Sequence, residues 1–229
     1  MSKADSAKVD LDKALIGLFD AERRVRELHD EIAENDAEKL CDAVAKSISV
    51  ASKEPDAQEA SMRLERLSAL LGELETARAV DLLIDILATG HEDAVSAAGE
   101  RLESLAFNRF KEVAKGVERA LKRLPTGSQA LSELPYLLAE VPEPGVVKLL
   151  ELFLSHEDPD AVAAAIEVSV EVGDPSIAAS IEKLKSDKRT VEMSDENEDT
   201  AEVTIAELAA DALAIFEAMA EEADADEKN

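Results

Sequence analysis

Val80-Asp-Leu-Leu-Ile-Asp-Ile-Leu87 and Val147-Lys-Leu-Leu-Glu-Leu-Phe-Leu154 agree at most apolar positions, at an offset of 67 residues. That offset is twice a unit of about 33 residues, the length of a two-helix tandem repeat. Other copies fall in register: Ala114, Val117 and Leu121 between the two, and Ile177, Ile181 and Leu184 after them. The closing leucines Leu87, Leu121, Leu154 and Leu184 are 34, 33 and 30 residues apart. Each such helix is followed by a short polar turn, clearest in His91-Glu-Asp-Ala-Val95 and His156-Glu-Asp-Pro-Asp-Ala-Val162. Asp93 and Asp158 are expected to cap the next helix, and Pro159 suits a first-turn position, where its missing N–H costs nothing. The second helices, about Val95 to Ala106, Val162 to Val172 and Val203 to Met219, carry alanines where backbones must approach closely.

Upstream, residues 8 to about 34 read as one long amphipathic helix, with Val9, Leu11, Leu15, Leu18, Phe19, Val25, Leu28 and Ile32 near one stripe. Asn35-Asp36 stops it and caps a second helix running to about Ser52. A third extends from about Asp56 to Glu75. No segment sustains period-two alternation, so essentially no sheet is expected. The domain reading is therefore helices over 1–75 that cap or extend a stack, repeats over 76–219, and a tail over 220–229. An insertion at about 186–201 and the tail are both acidic and too poor in apolar residues to pack, so both are expected to be disordered.

The 229 residues include 25 Lys plus Arg against 52 Asp plus Glu, a formal net charge of −27. Nucleic-acid and anionic-membrane binding both draw on clustered cations, so neither is an expected partner. With 46% hydrophobic residues the chain can bury a core, while 3% aromatics and no Trp argue against an aromatic-lined small-molecule pocket. The opening Met1-Ser-Lys-Ala-Asp-Ser-Ala-Lys8 lacks an apolar leader core, and no long uncharged apolar run follows, so a cytoplasmic location is expected. Cys41 is the single cysteine; Leu40, Val44 and Ile48 recur around it at helical spacing, which makes it a buried, inert thiol.

No constellation points to catalysis, a metal or a cofactor. His91 and His156 sit in equivalent turns two units apart, so stacking separates them by roughly 20 Å, too far to share a metal. They read as exposed polar turn residues, and His29 has no evident partner. Asp195-x-Asn197-x-Asp199 imitates the start of a calcium loop, but Thr200 stands where Gly is needed and Ala206 where a bidentate Glu is needed. That segment reads as a solvated acidic loop.

An apolar first helix ending in Leu, a Glu-Asp or Asp-Pro turn, then Val and an Ala-rich helix, as in Val203-Thr-Ile-Ala-Glu-Leu-Ala-Ala-Asp211, resembles HEAT repeats of the short bacterial type also found in phycobilisome lyases. The resemblance covers roughly residues 76 to 219. It departs where the family often has Arg after that Val, since Ser96, Ala163 and Thr204 stand there. It implies an all-α, right-handed α-solenoid of stacked antiparallel helix pairs, whose second helices line a concave face. Glu100, Glu103, Glu167, Glu171, Glu207 and Asp211 recur on those helices and would make that face acidic, suited to a basic protein partner. Generic solvated surface, or adaptation to a salt-rich habitat, would give the same pattern. The function expected is a non-enzymatic protein-interaction adaptor; a lyase-like or cofactor-handling protein and an acidic chaperone or mimic are the alternatives. The first helix can carry a self-association stripe or fold back over the end of the stack.

Overall fold

A computed structural model of the chain describes residues 10–194 and 200–226. Ten α-helices dominate the described residues: α1 (Leu11–Ala33), α2 (Ala37–Ala51), α3 (Ala57–Gly72), α4 (Ala77–Leu87), α5 (Glu92–Arg123), α6 (Gln129–Ala139), α7 (Gly145–Leu154), α8 (Pro159–Val172), α9 (Ala178–Ile181) and α10 (Ile205–Asp226). One antiparallel hairpin, β1 (Thr190–Ser194) and β2 (Thr200–Thr204), precedes α10. No helix among the described residues is long and apolar enough to cross a membrane.

Short polar side chains start most of these helices. The Asp36 carboxylate accepts from the Lys39 amide at 3.1 Å, Asp56 from Gln58 and Glu59 at 3.0 and 3.2 Å, and the Thr76 hydroxyl from Ala79 at 3.1 Å. Each such cap contributes about 1 kcal/mol by satisfying an orphan amide of the first turn. Asp158 caps α8 as expected, whereas Asp93 lies inside the first turn of α5, whose N-cap is His91 with no side-chain bond.

From α2 onward, the principal helix contacts join elements one or two places apart in the chain: α2 with α3 and α4, α3 with α4 and α5, and so on to α8 with α10. The aligned repeat positions make the core. Leu82, Leu83, Ile86 and Leu87 of α4, and their counterparts Leu149, Leu150, Phe153 and Leu154 of α7, are all buried. Cys41 is fully buried as well, with its thiol 3.7 Å from the Thr76 hydroxyl, and burial pushes its pKa up.

The expected second helix of one unit and first helix of the next are fused into α5, interrupted by a kink at Arg109 (φ −143°, ψ 46°). Phe107-Asn108-Arg109-Phe110 contains no Gly or Pro to end the helix. The Arg109 guanidinium donates to the Glu75 carbonyl at 3.0 Å and pairs with Glu112, tying the kink to the α3–α4 connection. Beyond it, α5 lies against α4. Arg119 donates to both oxygens of Asp81 (3.0 and 3.1 Å), and Arg123 pairs with Asp85 one turn on. Half-exposed pairs like these add roughly 0–1 kcal/mol each and chiefly fix register.

The turn before α8 is tied to its neighbours by buried polar contacts. Asp158 is 1% exposed; one oxygen caps α8 and the other accepts from the Gly127 amide at 2.7 Å. Gly127 has φ +78°, which lets the α5–α6 connection approach in a conformation other residues resist. His156 is half-buried, not exposed as expected. Its Nδ1 accepts from the Asp158 amide, so its Nε2–H donates to the Leu121 carbonyl at 2.9 Å. His29 also has a partner, Glu73, at 2.9 Å.

The chain is mostly helical, as the all-α reading expects, and two expectations are corrected. Within the insertion expected to be disordered, at about 186–201, residues 190–194 and 200–201 belong to a hairpin whose strands pair in register Thr190↔Thr204, with Val191 buried. The Asp195-x-Asn197-x-Asp199 segment lies outside the described residues. Nor is the tail unstructured from residue 220, because the Ala- and Glu-rich composition carries α10 to Asp226. At the other end of the chain, α1 meets α2 and reaches Glu73 through His29, with none of its residues fully buried.

Gly116 marks the closest approach of α5 to α4, where an added Cβ would collide with Val80 Cγ1. Gly116→Ala should therefore lower stability by about 1 kcal/mol, as overpacking outweighs the gain in helix propensity. In a Val80→Ala background the same change should become neutral or stabilising, which a denaturant-unfolding double-mutant cycle measures directly. Asp158→Ala should cost roughly 2–4 kcal/mol in the same assay, because it removes a cap and strands the Gly127 amide.

Candidate functional site

Two helices and the hairpin build one groove. Successive turns of α8 present Asp160, Ala163, Glu167, Val170 and Glu171 to it, while Leu208, Asp211, Ala212 and Ile215 do the same from α10. This three-and-four spacing puts each set on a single helical face. Ser132 and Tyr136 of α6 close one side, and Val191, Glu192 and Met193 of β1 form an end wall. The enclosed volume is about 490 Å³. Small residues on the facing helices, Ala163, Ala164 and Ala212, leave the floor open and apolar.

Local chemistry holds these walls in place. Thr204 and Glu207 form a reciprocal capping box at the start of α10: the Glu207 carboxylate accepts from the Thr204 amide at 2.8 Å, and the Glu207 amide donates back to the Thr204 hydroxyl at 3.2 Å. The side-chain and backbone bonds from Thr204 hold the Glu207 carboxyl below its usual range. The next amides, Ile205 and Ala206, donate to the carbonyls of Arg189 and Asp187. Arg189 in turn reaches the carbonyls of His156 and Glu157, both at 2.8 Å, and clasps Asp187, whose carboxyl is lowered by that bond. The hairpin and α10 are thus fastened to the turn that starts α8.

Electrostatically the groove is one-sided. Five of its sixteen lining residues are Asp or Glu and none is Lys, Arg or His. The Asp160 carboxyl is raised, first by burial and then by the charges of Asp158 and Glu192. Tyr136 donates to Glu167 at 2.6 Å, and its phenol is pushed above the usual tyrosine range, by burial most of all and then by that carboxylate. Burial leads both shifts and penalises charge of either sign; the smaller contributions from Asp158, Glu192 and Glu167 are the part that resists added negative charge and favours a cation.

Of the six acidic residues singled out from sequence, Glu167, Glu171 and Asp211 meet in this groove. Glu207 is engaged in the cap of α10, and Glu100 and Glu103 lie away from the groove on the first half of α5. Tyr136, Asp160, Glu192 and the apolar floor were not foreseen. The Thr204-x-x-Glu207 box was a readable signal for where α10 begins. Among the described residues, no group of three or more His, Cys, Asp or Glu is arranged to hold a metal ion.

Tyr136 is the only tyrosine and there is no Trp, so alkaline titration followed by phenolate absorbance reads it alone. Its midpoint should lie above the ordinary value of about 10. Glu167→Gln should lower it while leaving it elevated, because burial persists; a wild-type midpoint at the ordinary value, with helicity intact, would contradict the described environment.

Against protein-family models, curated proteins and solved structures, the chain finds no match.

Proposed function

We propose that this chain is a non-enzymatic, cytoplasmic adaptor: a HEAT-like, right-handed α-solenoid of stacked antiparallel helix pairs whose last units hold an amphipathic helix of a basic protein. The observation that carries the reading is the groove between α8 and α10, where an apolar floor is edged by Asp160, Glu167, Glu171, Glu192 and Asp211 with no cation among its lining residues. A partner helix lying along two such walls would place apolar residues at three- and four-residue spacing on the floor and Lys or Arg against the rim. The floor supplies contact area and the rim supplies orientation and association rate. Chain-local helix packing and the Asp81–Arg119 and Asp85–Arg123 rungs support the repeat reading. With an overall charge of −27, acidity alone would not single out a site; acidity around a groove that exposes Met193 and Ile215 does.

The test uses a fluorescein-labelled Leu/Lys amphipathic helical peptide of about 18 residues, some five turns, and its Leu/Glu counterpart. The Lys peptide should bind and the Glu peptide should not. Combined Glu167→Lys, Glu171→Lys and Asp211→Lys should weaken binding at least about tenfold, or roughly 1.4 kcal/mol, while Glu100→Lys with Glu103→Lys should leave it within about twofold. Binding should weaken with added salt yet persist, since screening removes the charge contribution and leaves the apolar one. Equal loss in both sets of variants would reduce the interaction to non-specific charge attraction and defeat the proposal.

A further inference from the structure

We infer that α1 pairs with α1 of a second copy, as an antiparallel two-helix coiled coil that makes this protein a dimer. From Leu11 one series of apolar positions in α1 steps alternately by three and four residues, through Ala14, Leu18, Ala21, Val25 and Leu28, to Ile32, while Leu15, Ile16 and Phe19 lie beside it in the first half of the helix. That is three heptads with every a and d position apolar, and a 3.5-residue period is the signature of one helix winding on another. The structure leaves most of this seam uncovered: α1 has no fully buried residue, Val25 is half-buried, and Leu11, Leu18, Leu28 and Ile32 are 72%, 55%, 40% and 39% exposed. A helix gains most of its stability from packing its apolar face, and α1 also carries Gly17 in its first half.

Size and shape point to a second copy. α1 is 23 residues long, and its a and d positions form one continuous seam that a helix of the same length covers end to end. Leucine, valine or isoleucine fills the a positions, while alanine fills two of the three d positions. In a parallel pair Ala14 would face Ala14 and Ala21 would face Ala21, leaving gaps between bulky layers. In an antiparallel pair a positions face d positions, so Ile32 lies over Ala14, Val25 over Ala21 and Leu18 over Leu28. Large then meets small in each alanine layer, and one two-fold axis generates all six layers. The pairing stands independently of the groove; if both hold, each particle carries two grooves, and a partner with two basic helices would gain avidity.

Sedimentation equilibrium of the full chain at micromolar concentration should give twice the chain mass of 24.6 kDa. Leu18→Glu with Leu28→Glu should give the single-chain mass, with the thermal unfolding of the remaining helices unchanged because neither side chain is buried. Asp30→Ala, at an outward f position, should leave the dimer intact. Orientation is read in a Cys41→Ala background: mixed Ala14→Cys and Ile32→Cys proteins should form a mixed disulfide, whereas Val25→Cys alone should not cross-link. A single-chain mass for the wild type, a dimer that survives the double glutamate change, or efficient Val25→Cys cross-linking would each overturn the inference.

Discussion

A short helix with one apolar face can bury that face only against a neighbour, and in this chain the neighbour is always close in sequence. α4 packs on α5 and α3, and α7 on α8, with Leu83, Leu87, Leu150 and Leu154 all buried. The rest of the architecture answers to that requirement. Alanine and glycine at the contact faces, Gly116 against Val80 above all, let helix backs approach, and the Asp–Arg rungs between α4 and α5 set their register. Where the requirement is unmet within the chain, on α1 and at Met193 and Ile215 of the α8–α10 groove, apolar surface is left facing solvent.

Much of this was legible in the sequence because helical periodicity and repetition are both carried by residue type. The offset between Val80–Leu87 and Val147–Leu154 located the buried positions of two helices, and the spacing around Cys41 located a third. Termination was harder to read. Phe107 to Phe110 offers no breaker, so two expected helices run together and only the backbone at Arg109 records the joint. The hairpin escaped because its strands are only five residues each and place Glu192 directly opposite Glu202, a pairing that strand preferences disfavour. It is held instead by Val191 in the core, by the Thr190–Glu202 bond and by Arg189 at its base.

The groove shows the same division. Acidic residues in register on the second helices were visible as a pattern, and three of them do converge. What distinguishes those three from the many other carboxylates is tertiary: Tyr136 arrives from α6, Glu192 and Met193 from β1, and the floor exists because alanines on two different helices face each other. Linear spacing encodes which residues share a face, not which faces will meet.

The second half of α5 imposes a condition that the looped connections do not. A residue added to or removed from a polar turn can be absorbed by the turn. Beyond the kink at Arg109 the helix is continuous, and one residue inserted between Phe110 and Val113 would rotate everything after it by about 100° about the helix axis. Val113 and Val117 would swing out of the core, and Arg119 and Arg123 would swing away from Asp81 and Asp85. Spacing beyond this joint is therefore phase-locked: length changes are open to the turns on either side of α5 and closed to its second half.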